Sequence, residues 1–257
     1  MRLELKHLSK KFGGLHVIRN FDMTVESGSL TALIGPNGAG KTTLMNIISG
    51  LLKVDAGEVY ADTTPVTHLP PHERARMGMG RTFQIVKGFQ QLSVLENIVA
   101  GQHIQLHAGF FHCLLSLPLS RSEDREARKK AMEISEFVGL QDYLDRRPAE
   151  LPHGLQCLTQ FARVLASRPK LLLADEPTSG LNTKEVEMLQ HALKAIQGQG
   201  VTILLVEHNM RMVTEIAEKV VVLNFGEKLD EGTPSKISQN PAVIEAYLGR
   251  GFGTARA

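Results

Sequence analysis

Apolar residues along the chain fall into short, nearly unbroken blocks separated by stretches of helical period. "SLTALIG" (29–35), "KLLLAD" (170–175) and "VTILLVE" (201–207) are blocks of this kind. Bounded by Gly, Pro or charge, they read as strands buried on both faces, the pattern of a parallel sheet covered by helices. "KTTLMNIISG" (41–50) predicts a helix closed by Gly50. The amino-terminal "MRLELKHLSKKF" alternates instead and predicts a half-buried strand. From about 93 to 166 the strand signal stops. "SVLENIVAG" and "SEDREARKKAMEISEFVG" are helical there, with Ala131, Ile134, Phe137 and Val138 predicted on one side. The fold class is α/β with an inserted helical segment, without internal repeat or low-complexity tract.

At 257 residues and 42% hydrophobic, the chain can bury a full core. A formal charge of +2 is too balanced to argue for nucleic acid or an anionic membrane as the main partner, and no nucleic acid is expected. Cys113 and Cys157 alone exclude a disulfide framework and point to a reducing compartment. The first residues lack the apolar block of a signal peptide, so no export is expected. The most apolar window, "AGFFHCLLSLPL" (108–119), is shorter than the ~20 residues of a spanning helix and is interrupted by His112, Ser116 and Pro118. It reads as core or a docking patch. The mixed charges of Arg125 to Lys130 read as a solvated helix face, and Gly78 with Gly80 as a turn. His103 and His107, with His112 and Cys113 nearby, have a spacing that could hold a soft metal, but no carboxylate or second cysteine completes the set.

Chemistry enters with "GPNGAGKTT": Gly35, Pro36, Asn37, Gly38, Ala39, Gly40, Lys41, Thr42 and Thr43. The stretch follows a predicted strand and opens a predicted helix, the setting in which a glycine-rich loop cradles phosphates. Its glycines let successive N–H groups curl inward, and a side chain at Gly38 or Gly40 is expected to obstruct that nest. Lys41 supplies a mobile charge for the β- and γ-phosphates, and the Thr42 hydroxyl can ligate magnesium. A nucleoside triphosphate is the implied ligand. "LLLADEP" (171–177) delivers Asp175 and Glu176 at the carboxyl end of a buried strand, where such sheets bind ligands. Asp175 is expected to serve the metal shell and Glu176 to polarise an attacking water.

With these parts in order, the chain resembles the ATP-binding cassette (ABC) proteins. The resemblance implies a P-loop NTPase core with a parallel sheet, an N-terminal antiparallel β subdomain and an inserted α-helical subdomain. It implies one domain over 1–257: a nucleotide-binding core at 1–92 and 167–235, a helical subdomain at 93–166, and a C-terminal helix and tail at 236–257. Phe12 stands where the family stacks a ring on adenine, and Gln84 in "GRTFQ" where a glutamine senses magnesium and the membrane partner. "SGLN" (179–182) matches the loop that crosses the dimer, and His208 in "VEHNM" the histidine that contacts the γ-phosphate. ATP and Mg2+ are the implied cofactors, with Glu176, His208, Lys41 and Gln84 catalytic and Thr42, Gln84 and Asp175 managing the metal.

"LSVLENI", "LLVEHNM" and "VIEAYLG" look like the importer ATPases for branched-chain amino acids and hydrophobic amides. That likeness implies a second ATPase subunit, identical or not, transmembrane permeases, an indirect periplasmic binding protein, and a peripheral place on the cytoplasmic face of the membrane. Lipopolysaccharide exporter ATPases share much of the pattern. Soluble cassette proteins of translation or DNA repair are set aside, because fused cassettes and long coiled-coil inserts are missing.

Leu151 to Leu155 lies where the family carries L-S-G-G-Q, the signature that closes over ATP on the opposite subunit. Here Pro152, His153 and Leu155 replace three of its residues, and only Leu151 and Gly154 persist. Pro152 offers neither hydroxyl nor N–H, so dimer closure is expected to be weaker, and a nucleotide-binding regulatory subunit is the rival reading. His153 reads as an exposed capping histidine, Cys157 as an inert packed thiol, and Asn182, an Asp in many relatives, as a second departure at the dimer seam.

Overall fold

A computed structural model describes residues 1–82, 89–102 and 118–248, leaving aside the side chains of 118–124 and 248. Gln84, His103, His107, His112, Cys113, most of the apolar window and the end of the tail lie outside the described residues. Among the described residues the strands are β1 (Leu3–Phe12), β2 (Leu15–Val25), β3 (Leu30–Ile34), β4 (Ala56–Ala61), β5 (Thr64–Pro65), β6 (Met79–Arg81), β7 (Leu171–Asp175), β8 (Thr202–Val206), β9 (Lys219–Asn224) and β10 (Glu227–Gly232). The helices are α1 (Lys41–Ile48), α2 (Pro71–Arg76), α3 (Val94–Gly101), α4 (Pro118–Phe137), α5 (His153–Ala166), α6 (Thr183–Gly198), α7 (Met210–Ile216), α8 (Pro234–Ser238) and α9 (Pro241–Leu248). The chain forms two compact units, one of Met1–Met79, Lys170–Glu176 and Lys194–Ala257, the other of Gly80–Pro169 and Pro177–Leu193.

In the first unit an antiparallel sheet has the order β2-β1-β4-β5. The second sheet runs β10-β9-β3-β8-β7-β6, with β9, β3, β8 and β7 parallel and β10 antiparallel at one edge. Its parallel strands β3, β7, β8 and β9 are almost continuously apolar because both faces are covered. Ala32 and Ile34 of β3 join Val220 and Val222 of β9 in a cluster with Val213, Ile237 and Val243 of α7, α8 and α9. The intervening Leu33, Val221 and Leu223 point the other way, into a core with Leu44, Met45, Ile47 and Ile48 of α1 and Leu3 and Phe21 of the antiparallel sheet. Alternate residues serve different cores, so no polar face remains to produce alternation.

The alternation predicted for β1 holds from Leu3 to Leu5 and then breaks. Leu8 is the next buried leucine, since the pairing with β2 shifts between Leu5 and Leu8 and His7 takes φ 50°. One extra residue in a bulge flips the inward parity.

Helix α1 ends at Ile48, and Gly50 beyond it takes φ 79°. Its last carbonyls are claimed by Arg74 from α2. The guanidinium donates to Ile47 O (2.7 Å), Ile48 O (2.6 Å), Leu69 O (3.0 Å) and Thr67 O (2.8 Å). A cation there complements both the carbonyls at the helix end and the helix dipole.

In the second unit Ser93 and Glu96 form a capping box that starts α3. α3 and α5 approach so closely that a Cβ on Gly101 would stand 2.0 Å from Arg163 O, and Gln102 Nε2 reaches Ala127 O of α4 at 2.7 Å. The predicted stripe on α4 needs correction. Ala127, Ala131, Ser135 and Val138 are the buried positions, whereas Phe137 is exposed. Steps of four, four and three keep the buried line within about 40° of Ala131, and position 137 lies roughly 120° off it. The charged run Arg125 to Lys130 does face solvent, except for Ala127, with Lys130 paired to Glu126. Gly78 lies in a turn at φ 104°, but Gly80 belongs to strand β6.

Candidate functional site

Three neighbouring parallel strands of the first unit end together. β3 runs into the glycine-rich loop, β7 ends at Asp175, and β8, paired to both, leads to His208. Carboxyl edges of such strands are where this architecture binds ligands.

The loop turns through Gly35 (φ 155°), Gly38 (φ 80°) and Gly40 (φ 110°). At Gly35 a Cβ would stand 2.0 Å from Leu223 O, and at Gly40 it would meet Ile18 Cδ1 at 2.7 Å and Val17 O at 3.0 Å. The obstruction expected at Gly40 therefore comes from β2, outside the nest. Nothing lies within 4 Å of the Cβ position at Gly38, so its requirement is conformational. The turn of β9 into β10 braces the loop, Gly226 N–H donating to Ala39 O at 3.0 Å. α1 then starts from Gly40 with no side-chain cap and no acidic residue in its first turn. Its leading N–H groups and the positive end of its dipole favour an anion. Thr42 and Asn37 are exposed, Pro36 and Thr43 half-buried, Ala39 buried.

Lys41 is 6% exposed and its ammonium donates to Gly35 O (2.7 Å) and Pro36 O (3.0 Å). Burial holds its pKa below the usual lysine value, an effect opposed by the negative charges of Glu176 and Asp175. Asp175 is 3% exposed at the end of β7. Glu176 follows with φ 46°, a conformation costing a non-glycine residue on the order of 1 kcal/mol or more, and its N–H is held by Val206 O at 2.9 Å. Its carboxylate Oε1 meets His208 Nε2 at 2.9 Å. The site thus joins a buried ammonium, two carboxylates and an imidazole at the edge of an anion-binding loop. It can neutralise phosphate charge and offers a base to a water. The hydroxyl of Thr42 and the Asp175 carboxylate are hard oxygen donors, the chemistry that fits magnesium rather than a soft metal. Among the described residues no group of three His, Cys, Asp or Glu forms a metal cage. Phe12, at the end of β1, is 49% exposed with the Lys10 ammonium 5.5 Å from its ring centre.

Residues outside the expected set also position the site. Glu207 is 2% exposed and accepts the N–H groups of His208 (2.9 Å) and Asn209 (3.1 Å). In sequence it is merely the last letter of a strand block.

In the second unit α5 begins at His153 after Pro152, with no side-chain cap. Gln156, one turn in, turns back to Leu151 O at 2.9 Å. The 179–182 loop packs against this helix start. Ser179 O lies 3.9 Å from Cys157 Sγ, and a Cβ on Gly180 would meet His153 Nδ1 at 2.5 Å. Asn182 and Glu185 cap α6 reciprocally, at 2.8 and 3.0 Å, and the Glu185 carboxylate fills the space a side chain on Gly154 would need, 2.2 Å from the Cβ position. Burial raises the Cys157 thiol to about 11, so it stays protonated and unreactive. Sequence reasoning missed Glu185, for which the three-residue spacing Asn182-x-x-Glu185 was the available signal.

A family model described as ABC transporter matches residues 18–179, and a second, described as Branched-chain amino acid ATP-binding cassette transporter, matches 231–253. The chain is 38% identical over 248 residues to the high-affinity branched-chain amino acid transport ATP-binding protein BraF of Pseudomonas aeruginosa, covering 96% of this chain and 97% of that one. It is 32% identical to the lipopolysaccharide export system ATP-binding protein LptB of Acidithiobacillus ferridurans, covering 97% and 98%. Among solved structures it is similar to the ADP conformation of MJ1267, an ATP-binding cassette of an ABC transporter (TM-score 0.83, 30% identity, 97% and 99% covered). It is similar also to the dimeric post-hydrolysis state of the cassette MJ0796 bound to ADP and Pi (TM-score 0.79, 27% identity, 90% and 98% covered).

Proposed function

The chain belongs to the ATP-binding cassette family of transporter ATPases, and on that premise we propose that it hydrolyses ATP to power import of branched-chain amino acids or similar small solutes. The observation that carries the reading is the convergence of Lys41, Asp175, Glu176 and His208 at the ends of three adjacent strands. The cargo is supported by the likeness to BraF and by the family match at 231–253, and is favoured over lipopolysaccharide export by the higher identity.

The phosphate loop, from Gly35 to Thr43, holds the triphosphate, Lys41 neutralises charge on the γ-phosphate, and Phe12 stacks on the base. Glu176 accepts a proton from the attacking water, and His208 stabilises the charge that develops on the γ-phosphate. Thr42, Asp175 and Gln84 would hold Mg2+, which would supply charge neutralisation to the phosphates. Two such subunits pair head to tail beneath membrane permeases, on the cytoplasmic face, with a periplasmic binding protein as the indirect partner. Among the described residues no helix is long and apolar enough to cross a membrane, which suits a peripheral subunit.

The altered signature favours one second reading, a regulatory subunit that hydrolyses slowly. Glu176→Gln is expected to abolish turnover while ATP binding persists, and unchanged turnover refutes the assignment. Steady-state ATPase of the chain alone, against its mixture with a sister subunit of intact signature, separates the readings: an ordinary rate alone removes the regulatory one.

A further inference from the structure

We propose that Glu207 is the positioning residue that sets His208 against Glu176, an inference that rests on reading those two as the hydrolytic pair. The end of β8 holds both catalytic backbones. Val206 O accepts the N–H of Glu176 at 2.9 Å, fixing the chain as it leaves β7. The next residue, Glu207, turns its Oε2 back to take the N–H groups of His208 (2.9 Å) and Asn209 (3.1 Å). Asn209 in turn accepts Met212 N–H at 3.1 Å and starts α7. The side chains of Glu207 and Asn209 thus lock the short link from strand to helix, and His208 Nε2 emerges 2.9 Å from Glu176 Oε1.

Glu207 is 2% exposed, and a buried carboxylate carries a desolvation cost that a Ser, Thr or Asn capping the same turn would avoid. What the charge provides in return is a pair of charge-assisted bonds, shorter and stiffer than neutral ones, on the amide of the catalytic residue itself. Glu207 acts through His208, whose side chain inherits the precision of its backbone.

The test is a kinetic cycle of wild type, Glu207→Ala, His208→Ala and the double variant, with melting temperature as the fold control. Misplacement of a catalytic group by about 1 Å costs on the order of 100-fold, so Glu207→Ala is expected to lower kcat roughly 10- to 100-fold with KM for ATP within about twofold. In the His208→Ala background it is expected to change nothing further. Glu207→Gln keeps an oxygen for the same amides but not the charge that stiffens the bonds, and is expected to fall between Glu207→Ala and wild type. If Glu207→Ala does not fold, Glu207→Asp replaces it in the cycle. Its shortened carboxylate pulls the His208 amide inward, and kcat alone is expected to fall, and only while His208 is present. An equal loss without His208, a change confined to KM, or unaltered kcat overturns the proposal. If His208→Ala itself leaves turnover unchanged, the hydrolytic pair is wrong and this inference falls with it.

Discussion

Replacing Arg74 by Met removes the clamp at the far end of the phosphate-loop helix while keeping a similar volume. Arg74 is 2% exposed, and burial draws its pKa down to about 10. That lowering corresponds to a cost of roughly 3 kcal/mol for keeping the charge inside, which Met avoids. Against it stand four charged hydrogen bonds, at about 1.5–3 kcal/mol each. Ile47 O keeps the Gly50 N–H as a second partner at 3.1 Å, so three carbonyls carry the main loss. The net expectation is a destabilisation of about 2–6 kcal/mol. At roughly 2–4 °C per kcal/mol for a chain of this size, melting followed by circular dichroism should fall by about 4–24 °C. Arg74→Lys, able to reach one or two of the four carbonyls, should fall between. A melting point for Arg74→Met within about 2 °C of wild type would show that the guanidinium only fills space and would refute the capping argument.

Three further outcomes are expected. Gly38→Ala should lose only about 1 kcal/mol of stability, since its penalty is conformational, whereas Gly40→Ala should lose clearly more because of Ile18 and Val17; equal losses in urea titrations would contradict this distinction. Cys157, raised to about 11 from 9.0, should alkylate at pH 8 on the order of 100-fold more slowly than an ordinary thiol; peptide mapping distinguishes it from Cys113, and fast labelling rules out the packed site. Asp230 is held below its ordinary value by Asn240 and Lys236. A depressed carboxylate contributes stability above its unfolded pKa, so the deficit of Asp230→Asn should be full near neutrality and shrink as the pH falls below about 4; a deficit that grows on acidification refutes the sign.

The parts that were legible in the sequence share one property: their signal is local. Buried strands such as 171–175 announce themselves by unbroken apolar residues, and the phosphate loop by glycines at fixed intervals, because one segment satisfies the requirement by itself. What escaped depends on where a side chain goes after folding. His7 bulges because two strands pair out of step, and Phe137 leaves the core because the buried line of α4 runs through Ala and Ser. Arg74 sits in a charged stretch, "HERAR", whose letters carry no sign of the α1 carbonyls that fold beside it. Glu207 and Glu185 act on amides and on an empty Cβ position, neither of which has a letter in the sequence.

The contact between Glu185 and Gly154 changes how the altered signature should be interpreted. A methyl group at 154 cannot coexist with the Glu185 carboxylate in its capping position. That glycine thus has a packing role within the chain, the room it leaves for the Glu185 carboxylate. In a library randomised at both sites, positions 154 and 185 should be selected as a pair: small with long, or larger with short. Pro152 and His153 lie outside that pairing, and His153 answers instead to Gly180, whose Cβ position lies 2.5 Å from its Nδ1.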